Sequence, residues 1–270
     1  MKVIIRKKEQ IKNIEQWFRI APPKGRAKQW KKGRSALEMA RFTLSKDFPK
    51  IIDTIIEEYG LGEKSFLCEP EATTGFEKWM GQKGPREHDL LMIGSDTIIG
   101  IEAKVSELFD KKIKDKRKEA KEKKNENVIL RLDSCLEYLY GEKVPENAED
   151  LYYQLFSATI GSVIEAKKRN KKNVISLFIV FSGNIDADGE YEKKIQENDK
   201  AFKDFCSTLN IGETGGKIPF IPNAPDINCW VKKLVIDIGP KFDYRVIHQM
   251  CPIDLSIASQ EEDSQKIPVQ

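Results

Sequence analysis

Two neighbouring strings hold the side chains most able to do chemistry. They are Glu87-His88-Asp89-Leu90-Leu91-Met92-Ile93 and, after a Gly94-Ser95-Asp96 turn, Ile98-Ile99-Gly100-Ile101-Glu102-Ala103-Lys104-Val105. Aliphatic and β-branched residues fill both strings and turn formers divide them, so the pattern predicts a β-hairpin. Residues two apart in a strand share a face, which sets Glu102 and Lys104 side by side while Ile101, Ala103 and Val105 look the other way into a core. Asp89, on the preceding strand, brings a second carboxylate to the same place. The two carboxylates and the Ala103 backbone carbonyl form an all-oxygen donor set suited to Mg²⁺ or Mn²⁺, ions that keep several waters and accept phosphate oxygens. Such an ion lowers the pKa of a bound water and offsets phosphate charge, and a lysine beside it stabilises the transition state. That is phosphodiester hydrolysis. The plain reading of the same residues is a surface hairpin whose cross-strand charges make ordinary pairs, worth under about 1 kcal/mol.

The surrounding elements are legible from their periodicity. Ala36, Leu37, Ala40 and Leu44 follow Ser35 at helical spacing, and Ile51, Ile52, Ile55, Ile56 and Tyr59 continue to Gly60, so one helix is expected, bent or broken near Pro49. Phe66-Leu67-Cys68 opens a strand ahead of the hairpin. Beyond it, Leu132, Cys135, Leu136 and Leu139 mark a helix ending at Gly141, and a second helix is expected from about Ala148 to Arg169. The run Val174 to Phe181 reads as a central strand, Phe202 to Leu209 as a helix, and Cys229 to Ile238 as a final strand. The order implies one α/β domain over residues 35–255, with a central mixed β-sheet flanked by helices. A basic N-terminal arm, 1–34, precedes it, and a flexible polar tail, 256–270, follows.

On these residues the chain resembles the PD-(D/E)XK, or restriction-endonuclease-like, nucleases. Asp89 matches the motif aspartate and Glu102-Ala103-Lys104 the (D/E)XK tripeptide, while His88 stands where that family usually has proline. A second Ile-Glu-Ala-Lys string, 164–167, lies in a helical pattern that sets its Glu and Lys about 200° apart, so it makes no such site. The blocks Ala21-Pro22-Pro23-Lys24, Gln29-Trp30, Gly33-Arg34-Ser35-Ala36 and Tyr153-Gln154-Leu155 are similar to those of an uncharacterised bacterial family in the same superfamily. The resemblance implies a restriction-endonuclease-like core and a Mg²⁺- or Mn²⁺-dependent nuclease, with Asp89 and Glu102 as ligands and Lys104 as the catalytic lysine. It further implies a carboxylate from the first core helix, here Glu38, and a glutamine near the site, here Gln154. Against those stand a capping box in which Glu38 serves Ser35, and a solvent or capping contact for Gln154. Glu69 and Glu71 can approach from the first strand, and His88 is assigned a structural or solvent-facing role.

Composition limits the partners. Over 270 residues, 46 Lys+Arg and 43 Asp+Glu leave a net charge of +3, too little to hold a polyanion by bulk charge. The distribution is uneven: residues 24–34 and 111–124 each carry +6, which leaves −9 for the rest. Lys24, Arg26, Lys28, Trp30, Lys31, Lys32 and Arg34 in the first segment, with Lys111, Lys112 and Lys114 in the second, are the candidate nucleic-acid contacts, most simply to DNA. A solvated mixed-charge helix is the plain alternative for 111–124, and a packed Trp30 for the first. Five scattered cysteines and two histidines argue against a disulfide framework, a zinc ribbon or a His-rich cage. Without a signal-peptide core or a long apolar run, no membrane partner and a cytoplasmic location are expected. A homodimer is compatible, since many such enzymes pair to cut both strands. The same residues also admit a non-catalytic nucleic-acid-binding or interaction module, or an RNA-cleaving defence nuclease.

Overall fold

The computed structural model describes residues 1–81, 84–105, 107–183, 190–239 and 244–248. A mixed sheet divides it, built from β1 (Lys2–Ile5), β2 (Ser65–Gly75), β3 (Pro85–Ile93), β4 (Thr97–Lys104), β5 (Asn173–Gly183), β6 (Gly215–Lys217), β7 (Asn228–Ile238) and β8 (Tyr244–His248). Their order is β1-β2-β3-β4-β5-β7-β6, and β8 also pairs with β7. The two connections from β2 to β4 are antiparallel, whereas β4, β5 and β7 run parallel. Val174 to Ser182 are all buried, as a parallel strand covered on both faces requires.

Helices cover the sheet on both sides. On one face α1 (Ile14–Ile20), α2 (Ser35–Leu44) and α3 (Phe48–Glu58) share a core with Ile99, Ile101, Ala103 and Val105. On the other, α6 (Glu126–Tyr140), α7 (Tyr153–Lys168) and α8 (Glu190–Thr208) pack with Val174, Phe178 and Val180. Two short helices, α4 (Glu77–Met80) and α5 (Ile113–Glu122), complete the set. The α2–α3 break falls at residues 45–47, with Pro49 in the first turn of α3, where its missing N–H costs nothing. α7 lies so close to β4 that a Cβ on Gly100 would sit 2.0 Å from Ser162 Oγ. Glycine at 100 therefore sets how near the helix approaches.

Four expectations need correction or qualification. Residues 1–34 do not form an arm ahead of the domain: β1 extends the sheet beside β2, and Ile5, Ile11, Trp17 and Ala21 are buried in the α1–α3 core. Four-residue and seven-residue elements are too short to show a period. α7 begins at Tyr153 rather than near Ala148, because residues 146–150 form a 3₁₀ turn. β7 is not the final strand, since β8 follows it and pairs back antiparallel. The expected tail, 256–270, lies outside the described residues, as does Cys251. Cys68, Cys135, Cys206 and Cys229 are buried free thiols. Among the described residues no helix is long and apolar enough to cross a membrane.

Candidate active site

β3 and β4 pair from Ile93↔Ile98 as far as Leu90↔Ile101. The next step would set Asp89 against Glu102, but there the ladder ends and the Asp89 carboxylate replaces it, Oδ2 accepting the Ala103 N–H at 2.7 Å. A side chain thus satisfies a strand amide that has lost its backbone partner. Glu102 and Lys104 project from β4 on the face opposite Ile101, Ala103 and Val105, as the alternation requires.

A change of face on β2 and β3 completes the cluster. Leu90 and Met92 point into the α1–α3 core. His88, of the same parity, packs instead under α7: its ring would lie 3.1 Å from a Cβ on Gly100 or on Gly161. β2 does likewise, with Phe66 and Cys68 in one core and Ala72 in the other. The switch falls at Glu71 and Asp89, the pair omitted between Pro70↔Leu90 and Ala72↔His88. Glu71 holds φ +48°, which is uncommon for a residue other than glycine. The consequence is that Arg86, which strict alternation sets on the face away from Asp89, reaches Glu102.

Glu102 is therefore held by two cations. Lys104 Nζ donates to Oε1 at 2.5 Å, and an Arg86 Nη donates to Oε2. All three side chains are nearly sequestered, at 3% exposure for Glu102, 7% for Lys104 and 9% for Arg86. Burial alone would raise the Glu102 carboxyl, but Lys104 and Arg86 outweigh it and hold the group at about 2. Burial would lower Lys104 and Arg86, and Glu102 keeps both above their ordinary values. Asp89 is pushed up to about 7, by burial first and the Glu102 charge second. Glu71 rises to about 8 through burial and then the Asp89 and Glu87 charges. His88 falls to about 3, chiefly by burial, and its Nε2 meets Thr74 Oγ1 at 2.9 Å. It is a structural imidazole, neutral at physiological pH.

Arg86, Asp89, Glu102 and Lys104 line a cleft of about 300 Å³ with Glu71, Glu87, Glu107 and Gln154. Pro23, Lys24, Gln29 and Arg34 of the basic segment form its other wall. Asp89, Glu102, Lys104 and Gln154 are thus brought together, as the sequence suggested, with Lys24 and Arg34 at the rim. Glu38 is not among the lining residues. It is 1% exposed and accepts the Gly33 amide at 3.0 Å and Arg41 at 3.1 Å, so it caps the chain entering α2 two residues upstream of the expected Ser35. Trp30 packs its ring 5.2 Å from that of Phe18. Lys111, Lys112 and Lys114 lie away from the cleft wall: Lys111 pairs with Glu119, Lys114 with Asp150, and Lys112 sits over the Tyr152 ring.

Arg86 and Glu107 were not singled out by the sequence. Arg86 is found only once the face change is known, and nothing in the residue type of Glu71 announces that change. Glu107 accepts the Val105 N–H at 3.1 Å just past the end of β4, a capping role any nearby carboxylate can fill.

The donor set fits a hard cation of the Mg²⁺ type better than an enclosed metal. Among the described residues no three His, Cys, Asp or Glu side chains gather closely enough to hold an ion by themselves. Mg²⁺ is commonly held by one or two carboxylates plus waters and phosphate oxygens. Asp89 Oδ1 makes no hydrogen bond among the described residues, whereas a cation at Glu102 has to take the place of Arg86 or Lys104 on one oxygen.

A family model described as a domain of unknown function, DUF6946, matches residues 10–231, a span that contains every residue lining the cleft. No curated protein and no solved structure matches the chain significantly.

Proposed function

Because the chain belongs to the DUF6946 family, a domain of unknown function, its activity is read from the cleft, and we propose that it is a Mg²⁺- or Mn²⁺-dependent nuclease hydrolysing phosphodiester bonds in DNA. One observation carries the reading: Asp89, Glu102 and Lys104 converge where β3 and β4 part, at the floor of a cleft walled by a basic segment. The resemblance to PD-(D/E)XK nucleases points the same way. A cytoplasmic location belongs to the same proposal.

In this scheme Asp89, Glu102 and the Ala103 carbonyl would hold the ion, which would supply a more acidic water and offset phosphate charge. Lys104, released in part from Glu102, donates to the phosphate oxygens as negative charge builds. Arg86 keeps the second Glu102 oxygen and so fixes the carboxylate's orientation. Gln154, which lines the cleft from the start of α7, would hydrogen-bond the phosphate or the attacking water.

The test is incubation of the purified protein with single-stranded and duplex DNA and with RNA, in Mg²⁺ or Mn²⁺. Cleavage that Lys104→Met and Asp89→Asn each reduce by about 10²-fold or more is expected. No cleavage by the wild type, or equal cleavage by the variants, removes the proposal. A second reading, a nucleic-acid-binding module without turnover, is favoured by the two cations on Glu102, which satisfy that carboxylate with no metal. Thermal stabilisation by Mn²⁺ that vanishes in Asp89→Asn decides against it.

A further inference from the structure

The basic segment does more than line the cleft: it bridges it. Lys24 Nζ lies 2.9 Å from Glu87 on β3 and Arg34 3.5 Å from Glu107 just past the end of β4, so both ends of the segment are tied to the chain around the site. Gly25 N donates to Gln29 Oε1, Gly33 N donates to the buried Glu38, and Trp30 rests on Phe18. The segment is therefore a shaped roof, with the Glu102 and Lys104 side chains almost wholly enclosed beneath it. Past the Lys24–Glu87 pair, a second cleft of about 290 Å³ shares Lys24, Glu71 and Glu87 as its near wall and continues to Lys7 and Arg169. The two clefts adjoin at these three shared residues. Along the outside of the roof, Arg26, Lys28, Lys31 and Lys32 are exposed and make no ion pair among the described residues.

We propose that the two adjoining clefts act as one path under the Lys24–Glu87 pair and that the polynucleotide enters it as a single strand, guided to its mouth by Arg26, Lys28, Lys31 and Lys32, with its phosphates drawn under the roof to Lys104. The inference rests on the nucleic-acid reading of the site given above. A duplex is a stiff rod over lengths far beyond this cleft, and its paired backbones cannot bend beneath a bridge to side chains this enclosed. A single strand can, because its backbone turns at each nucleotide and cations can track it without reading sequence. The two ion pairs that tie the roof across the cleft are partly exposed, of the kind that contribute little to stability, so this edge can open to admit the strand while Glu38 and Phe18 hold the rest of the segment.

The experiment measures anisotropy of fluorescein-labelled DNA of about 20 nucleotides, as a single strand and as a blunt duplex of the same sequence, with wild-type protein in EDTA across a salt series. The single strand is expected to bind at least about tenfold tighter. In the triple variant Lys28→Gln, Lys31→Gln, Lys32→Gln, its salt slope should fall by about 2, as three lost phosphate contacts require. An RNA strand that outbinds the DNA strand keeps the single-strand path and changes the sugar. Duplex binding as tight as single-strand binding, no binding of either, or an unchanged slope in the triple variant overturns the proposal. Cleavage in Mg²⁺ is scored separately: strands bound but uncut sink the nuclease reading alone, whereas duplex cut as fast as single strand sinks this one alone.

Discussion

Asp89 Oδ2 and the Ala103 amide meet at 2.7 Å across the seam where β3 leaves β4. The carboxylate is thus fixed by a backbone group, and its other oxygen makes no hydrogen bond among the described residues. Glu102, one residue before Ala103, is fixed differently, by charged side-chain donors, between Arg86 and Lys104. The two acids of the site therefore answer to substitution in different ways.

Glu102→Gln removes the charge that compensates two buried cations. Breaking a buried pair from one side strands the partner, typically at a cost of about 3–5 kcal/mol. Loss of stability of that order is expected in urea unfolding, together with loss of cleavage. Asp89→Asn keeps an acceptor for the Ala103 N–H, so its unfolding midpoint should stay near wild type while cleavage falls. Equal stability of the two variants would show that Arg86 and Lys104 do not depend on Glu102.

Gly100 tests how closely α7 must approach the site. A methyl there would lie 2.0 Å from Ser162 Oγ and 3.0 Å from its Cβ. Overpacking of this kind costs about 1–3 kcal/mol. Gly100→Ala is expected to lose stability in that range, and Ser162→Ala in the same chain should restore part of it by removing the nearest atom. A Gly100→Ala protein as stable as wild type means that the helix can retreat freely, and then Gln154 is not held in place by this packing.

The hairpin and its charged pair were legible because alternation needs only local sequence: Ile101, Ala103 and Val105 on one side force Glu102 and Lys104 to the other. The β5 core strand and an α2–α3 break near Pro49 were legible for similar reasons. What escaped is non-local. The face change at Glu71 and Asp89 is a property of two paired strands, and it alone brings Arg86 to Glu102. Glu38 carried two readings from sequence, and the structure gives it a third, the Gly33 amide. Its first-turn position is common to capping and to ligation, and only the path of residues 24–34 decides. β1 and α1 were missed because an element of four to seven residues has too few turns or pleats to display a period.

Glu63 links pH to the turn that closes the hairpin. Its carboxylate accepts Ser95 N at 2.8 Å, Asp96 N at 2.7 Å and Ser95 Oγ at 3.0 Å, directly over Gly94. Burial would raise the group, but the Asp96 and Ser95 amides, with the Thr97 and Ser95 hydroxyls, hold it below the ordinary carboxylate value. A folded pKa below the unfolded one gives stability that is complete above the unfolded value, near about 4.3, and fades as pH falls through the folded pKa. Glu63→Gln should therefore be less stable than wild type by about 1–2 kcal/mol at neutral pH. The gap should narrow as pH falls below the unfolded value and vanish once the folded carboxylate is itself protonated. A gap that stays constant across the titration refutes the charge-dependent clamp.

The lysine run at 111–124 has the same net charge as the roof, yet its surroundings predict a different response to nucleic acid. Lys111 is paired with Glu119 at 2.7 Å and Lys114 with Asp150 at 2.5 Å, while Lys116 meets Asp110 at 2.6 Å. Arg117 is shared between Glu149 and Asp133. A cation already neutralised by a neighbouring carboxylate releases few counterions when a phosphate arrives, so it adds little to affinity or to salt dependence. Lys111→Gln with Lys114→Gln is expected to bind single-stranded DNA within about twofold of wild type, with an unchanged salt slope. The roof triple variant Lys28→Gln, Lys31→Gln, Lys32→Gln loses both affinity and slope under the same conditions. If the α5 double variant instead loses affinity as steeply as the roof triple, its local ion pairs open to the polyanion and the strand path runs over α5 as well.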